Sequence, residues 1–445
     1  MRVERLTGST AAEIVDAVRA AIADGALAPG ETLPTMRAAA EHLGVNRNTV
    51  AAAYAQLAAI GAVESHGRRG TVAAAAAELP GEGRASREGA VNLADGNPDP
   101  LLLPPLPPLA ADAQPVLYGA PPVHPRLEAI ARAQVRGSLP ESHRITVAGG
   151  AVDAIERLLS SALVRGEAVA VEDPGFLSHA GILRLHGLRP IGVSMDAEGP
   201  RPESLREALR AGARAVILTP RAQNPTGSSI SADRAEQLRA ELAQHPDVLV
   251  VEDDHYAGLA EAPYARSTPP GARRWALVRS VSKSLGPDLR VAMVHCDDET
   301  GALLDARGGH AVWVSHLLQR AVAAVLEAPG TQELLRAARE AYAERARMLT
   351  DALAVHGIAA APHQDGVNVW VPLDGDEDAV VTALAASGWT VRRGVDFVTG
   401  GGTGGGAGGV TGAGGGAAVR VTISTMTVER AERFAAALAE ALAAR

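Results

Sequence analysis

A chain of 445 residues has room for a large buried core and more than one domain. Hydrophobic residues make up 47% of it and aromatic ones only 3%, a globular rather than a disordered composition, and no run of about 18 apolar residues lacks charge or proline, so no membrane span is predicted. The net charge of −9 is mild and does not by itself suggest a nucleic-acid partner, which must be read from local motifs instead. The N-terminus lacks the pattern of a signal peptide, and Cys296 stands alone, which excludes an internal disulfide and predicts a reducing, cytoplasmic setting.

Thr10 to Asp24 reads as an amphipathic helix, with Ile14, Val18 and Ile22 on one face, Ser9 or Thr10 as cap and Gly25 as stop. A turn-rich connector, Gly25 to Pro34, follows. Thr35 caps a short helix that Gly44 ends in the left-handed conformation, and Asn46 caps a third helix through Ile60. Two short strands, Val63 to Ser65 and Thr71 to Ala73, flank the basic turn His66-Gly67-Arg68-Arg69-Gly70. Helix, helix-turn-helix, then hairpin describes a winged helix.

Gly30…Leu33-Pro34-Thr35-Met36-Arg37, then Leu43-Gly44-Val45-Asn46-Arg47-Asn48-Thr49-Val50, Tyr54, Leu57, Gly61 and Gly67…Gly70-Thr71 resemble the GntR family of transcription regulators. The resemblance implies DNA contacts from Arg37, Arg47 and Thr49, with Arg47 reading base edges in the major groove. Arg68 and Arg69 would set the wing on the minor groove or backbone. The position before Arg47 is often serine in the family, and Asn46 caps as well. Four arginines against Glu41 and Glu64 leave a surplus of about two, so the prediction rests on motif and not on charge.

The winged helix is assigned residues 1–73. Residues 74–90, with Pro80, Gly81, Gly83 and alternating charges but no apolar period, read as an exposed tether. The remainder, 91–445, reads as an α/β domain. Apolar runs at 167–172, 189–194, 214–219, 248–252, 275–281 and 289–295 alternate with helical patterns, which predicts a mainly parallel sheet covered on both faces. Ligand-binding residues should gather at the strand ends.

Lys283 is the only lysine in the sequence. Arginine serves as well on a solvated surface, but a guanidinium is far too weak a nucleophile to form an imine with an aldehyde. Around it the spacing Ser280-Val281-Ser282-Lys283…Pro287…Arg290 resembles the internal-aldimine segment of fold-type I pyridoxal-phosphate (PLP) enzymes, the class I/II aminotransferases. That resemblance implies that Lys283 binds PLP and that Ser280 and Arg290 hold its phosphate, with Gly150, Ala151 and Val152 adding helix N-terminal amides. Val152 stands where a polar side chain is common, so its contact would be through backbone alone. Phe176 would stack on the pyridine ring, Asp253 would pair with its nitrogen, and Asn224 and Tyr256 would reach its phenolic oxygen. Glu252 and Asp254, beside Asp253, are left as solvated carboxylates or caps. Tyr118 would reach the phosphate in a neighbouring subunit, although the segment after it departs from the family pattern. No metal is called for.

Helical patterns dominate beyond Glu299, except for a strand at Gly366 to Val371 in a small C-terminal subdomain. Gly400 to Gly416 reads as a flexible loop. Beside it Ala418-Val419-Arg420-Val421-Thr422-Ile423 resembles the segment whose arginine binds a substrate carboxylate, so Arg420 would fork onto an amino acid; a structural salt bridge is the competing role. Fused in this order, the two halves resemble the MocR-type subgroup of GntR regulators. This implies a homodimeric, PLP-dependent regulator of a double-stranded DNA operator, sensing an amine, an amino acid or PLP itself. The alternative is an active aminotransferase with an accessory DNA-binding domain.

Overall fold

The computed structural model describes residues 5–59, 62–65, 70–73, 82–83, 89–106, 115–308, 313–363, 365–399 and 416–443. Its N-terminal part has helices α1 (Ala11–Ala23), α2 (Met36–Leu43) and α3 (Arg47–Ala59), then strands β1 (Val63–Ser65) and β2 (Thr71–Ala73) paired antiparallel. The caps are those expected from sequence. Thr10 and Thr35 accept from the amides of Glu13 and Ala38, Gly44 closes α2 at φ 66°, and the Asn46 side chain accepts from the Asn48 amide at 2.8 Å. Ile14, Val18, Leu33, Val50 and Leu57 form the core between helices and wing. The connector also joins the sheet, because Leu33 N donates to Thr71 O and Gly30 N to Ala73 O. Tyr54 locks it to α3 through a 2.8 Å hydrogen bond to the Pro34 carbonyl.

The larger part opens with β3 (Val91–Asn92) and α4 (Pro125–Gln134). There follow β4 (Arg144–Ala148), α5 (Ala151–Ala162), β5 (Ala168–Asp173), α6 (Leu177–His186), β6 (Arg189–Asp196), β7 (Gly199–Pro200), α7 (Pro202–Arg210), β8 (Ala213–Leu218), α8 (Ala232–Leu242) and β9 (Leu249–Asp253). Strands β10 (Trp275–Ser280) and β11 (Ala292–Cys296) complete an eight-stranded sheet of order β4-β11-β10-β9-β8-β5-β6-β7. From β10 through β9, β8 and β5 to β6 the pairing is parallel, while β11 runs against both its neighbours.

Successive residues of these strands point to opposite faces, so one apolar run feeds two cores. Val169, Ile217 and Val251 pack under α5 and α6, while Ala170, Val216 and Val250 pack under α7 and α8. That arrangement needs continuous apolar strands, as the sequence has. The last expected strand begins later than 289, because Pro287–Leu289 forms a 3-10 turn and Arg290 adopts φ 47°.

Helices α9 (Asp298–Gly308), α10 (His316–Glu327) and α11 (Thr331–Val355) lead to β12 (Asn368–Pro372), α12 (Glu377–Ala386), β13 (Trp389–Thr390), β14 (Arg392–Arg393), β15 (Ala418–Thr422) and α13 (Val428–Ala443). Strands β12, β15 and β14 make a small antiparallel sheet, and β13 pairs with β3. This is the expected small α/β subdomain. The glycine loop expected at 400–416 lies, but for Gly416, outside the described residues. No helix among the described residues is long and apolar enough to cross a membrane.

Two sequence expectations are corrected here. Glu252 and Asp254 are not solvated: both are fully buried and partnered. The tether is not exposed throughout, because Glu82 docks on the large domain, as described next.

Candidate cofactor site and DNA-facing helix

The C-terminal ends of the parallel strands converge on Lys283. Asp253 ends β9, Ser280 ends β10, and the Gln223-Asn224 turn follows β8. Lys283 sits in the turn after β10 and donates to the Gly96 carbonyl at 2.5 Å. Burial lowers the pKa of its amine; Glu82 opposes this and Arg420 adds to it. More of the amine is therefore uncharged and nucleophilic than in a free lysine.

Arg290 faces the start of α5. Its guanidinium donates to the Gly149 carbonyl at 2.6 Å, and Gly150, the N-cap at φ 105°, lies so close that a Cβ there would collide with it. Ala151 and Val152 open the helix, whose first-turn amides have no intrahelical acceptor. Cationic fork, helix N-terminus and the buried Ser280 thus form a cradle suited to an anion.

Asp253 is 2% exposed, and its Oδ1 has no hydrogen-bond partner among the described residues. Its Oδ2 lies 3.4 Å from His179 Nε2, and the His179 ring stacks edge-on against Phe176 at 5.3 Å. His179 was missed in the sequence, although its place three residues after Phe176, on the first turn of the helix that Phe176 caps, could have revealed it. Tyr256 is buried, and its hydroxyl has no partner among the described residues. His255, also passed over, is the side chain whose charge interacts with both Asp253 and Lys283; burial lowers its pKa.

Asn224, expected to donate to a bound ring, donates here to Glu82 Oε1 at 2.7 Å and accepts from Arg420 at 3.0 Å. Arg420 is fully buried over the Phe397 ring and forks onto Glu82 with contacts of 2.5 and 2.9 Å. Burial pushes the Glu82 carboxyl up, but Arg420, Lys283 and Asn224 more than offset this and hold it below the ordinary value. Nothing in the Gly- and Pro-rich stretch around Glu82 signals this contact, whose partner lies 338 positions away. Tyr118 is exposed, packs edge-on against Trp313 and adds nothing to the cluster within one chain.

Buried carboxylates beside these residues fix the strand ends. Asp254 accepts from Arg221 at 2.9 and 2.7 Å and from Arg279 at 2.8 Å. Glu252 accepts from Tyr264 at 2.6 Å and from the Ser267 amide at 2.6 Å. Glu172 accepts from Thr219 and Gln223, which orients the Asn224 turn; burial pushes its carboxyl up to about 7 against those bonds.

In the winged helix, Arg47 is exposed at the first position of α3, and Thr49 is half-buried on its first turn. Arg37 is exposed on α2 and pairs with Glu41 at 3.0 Å. Arg68 and Arg69 lie outside the described residues.

Fold and site together define a DNA-binding regulator whose second domain is built as a PLP-dependent transferase. Residues 104–438 match the family aminotransferase class I and II, and residues 10–72 match the bacterial regulatory proteins of the gntR family. The chain belongs to the aminotransferase class I and II family, in the MocR-type arrangement that places a gntR winged helix before it. It is 47% identical over 88% of its length to the vitamin B6 salvage pathway transcriptional repressor PtsJ of Salmonella typhimurium, covering 92% of that protein. It is 28% identical over 85% of its length to the HTH-type pyridoxine biosynthesis transcriptional regulator PdxR of Corynebacterium glutamicum, covering 86% of it. The kynurenine aminotransferase of Pyrococcus horikoshii superposes with a TM-score of 0.70 over 80% of this chain and 91% of that one, at 19% identity, a likeness of fold.

Proposed function

We infer that the protein is a PLP-dependent transcription regulator that binds operator DNA through its winged helix and senses a small amine or amino acid at Lys283. What carries the reading is that one chain joins the two parts: an exposed Arg47 on a gntR recognition helix, and a lone, half-buried lysine at the strand ends of an aminotransferase domain.

The residues fit PLP. Asp253 Oδ1 and the Tyr256 hydroxyl are buried polar atoms without a partner among the described residues, and Gly150, at φ 105°, lets the Arg290 guanidinium lie against the helix start where a Cβ would push it aside. Lys283 would hold the cofactor through its amine, with Arg290, Ser280 and the amides of Gly150, Ala151 and Val152 around the phosphate. Asp253, steadied by His179, would hold a proton on the ring nitrogen, Phe176 would cover the ring, and Asn224 and Tyr256 would lie at its phenolic edge. When bound, PLP supplies an aldehyde that captures amines. The homodimer expected of this fold would bring two winged helices to paired half-sites. An enzyme that turned over amino acids would keep Arg420 open to substrate; here its fork is filled from within the chain, which favours the regulator over the aminotransferase.

Arg47→Ala tests the DNA half of the reading. A base-reading arginine contributes about 1–3 kcal/mol of discrimination, so specific affinity should fall roughly tenfold or more while PLP uptake stays unchanged. Unaltered operator affinity in a salt-controlled titration would remove Arg47 from the interface.

A further inference from the structure

The Arg420 fork is filled by the protein's own tether. Glu82 spans both guanidinium nitrogens, at 2.5 and 2.9 Å, and takes a third bond from Asn224 at 2.7 Å. Its carboxylate lies over Gly96, where an added Cβ would stand only 2.6 Å from Oε2, and the Gly83 amide donates to Asp95 O at 3.0 Å. The Gly96 carbonyl in turn takes the Lys283 amine. So a carboxylate sits in a fully buried arginine fork, one residue contact away from the reactive amine. That is the disposition a free α-amino acid would need if its nitrogen were to meet a cofactor held at Lys283 while its carboxylate was held.

We propose that Glu82 is a resident carboxylate that an amino-acid effector must displace from Arg420, and that its displacement undocks the chain at residue 82 from the large domain. The inference rests on the reading of Lys283 as the PLP and effector site. One planar fork accepts one carboxylate bidentately, and a second anion beside it is repelled, so the two occupants exclude each other. Only an effector that carries a carboxylate therefore frees Glu82. An amine without a carboxylate can engage the cofactor but leaves Glu82 in place.

The test uses the full-length, PLP-loaded protein as wild type, Glu82→Gln and Glu82→Ala. Each is titrated with L-alanine and with methylamine while the visible spectrum is followed, and its tether is probed by tryptic cleavage after Arg84 or Arg87. If Glu82 is docked in nine molecules of ten or more, L-alanine should bind both variants at least about tenfold more tightly than wild type, with methylamine unchanged. Wild type should be cleaved slowly until L-alanine is added, and the variants rapidly from the start. Equal cleavage of all three proteins overturns the proposal, as does an equal gain for alanine and methylamine. If no amine perturbs any spectrum yet the variants are cut faster, the docking of Glu82 stands and the amino-acid reading of the site falls.

Discussion

Lys283→Ala should lose the visible absorption that PLP shows on the wild-type protein, with the far-ultraviolet circular dichroism unchanged. The amine donates one hydrogen bond, to the Gly96 carbonyl, and carries a lowered pKa through burial, so its removal costs the fold little. The chemistry has no substitute, because no other lysine exists in the chain. Lys283→Arg separates charge from reactivity: it keeps a cation beside Glu82 but offers no competent nucleophile, and should be equally colourless. PLP held non-covalently in the Arg290 cradle would show in equilibrium dialysis as weakened uptake. A visible band retained by either variant would mean that Lys283 is not the attachment point.

The largest effect on stability should come from Asp254→Ala. Its carboxylate is fully buried and serves two arginines that are themselves almost fully buried, Arg221 and Arg279, both lying near the Tyr264 ring. Each arginine keeps one carbonyl acceptor, Ala262 O for Arg221 and Gln134 O for Arg279, but two charges are left without a counter-ion. Breaking a buried ion pair from one side costs about 3–5 kcal/mol. The denaturation midpoint of the large domain should fall accordingly, at an unchanged slope with denaturant. Asp254→Asn should recover little, because it restores hydrogen-bond acceptance without the charge. A loss below about 1 kcal/mol would show that the arginines relax to solvent and that the cluster is not a support for the neighbouring Asp253.

These two cases mark what could be read from the sequence and what could not. The place of Lys283, in the turn after an apolar strand, and that of Asp253, at the end of another, were legible because each follows a continuous apolar run. The winged helix was legible because Thr10, Thr35, Gly44 and Asn46 punctuate it locally. Asp254 and Glu252 were not, since a carboxylate at a strand end looks solvated until the arginine, tyrosine and amide donors that meet it, 12 to 33 positions away, are brought beside it. The start of β11 was misplaced because Arg290 takes a left-handed turn that no local residue announces. Glu82 was the least legible of all. Its stretch has the composition of a solvated tether, and only the closed fold brings it to Arg420.

The reading of this protein as a PLP-dependent regulator is tested most directly by one titration. The full-length protein is titrated against DNA from its own upstream region and against scrambled DNA, at fixed salt, with PLP absent and then saturating. Sequence-specific binding whose affinity changes with PLP, and which Lys283→Ala makes indifferent to PLP, is the predicted result. Specific and scrambled DNA bound alike, at an affinity that PLP leaves unchanged, would contradict it.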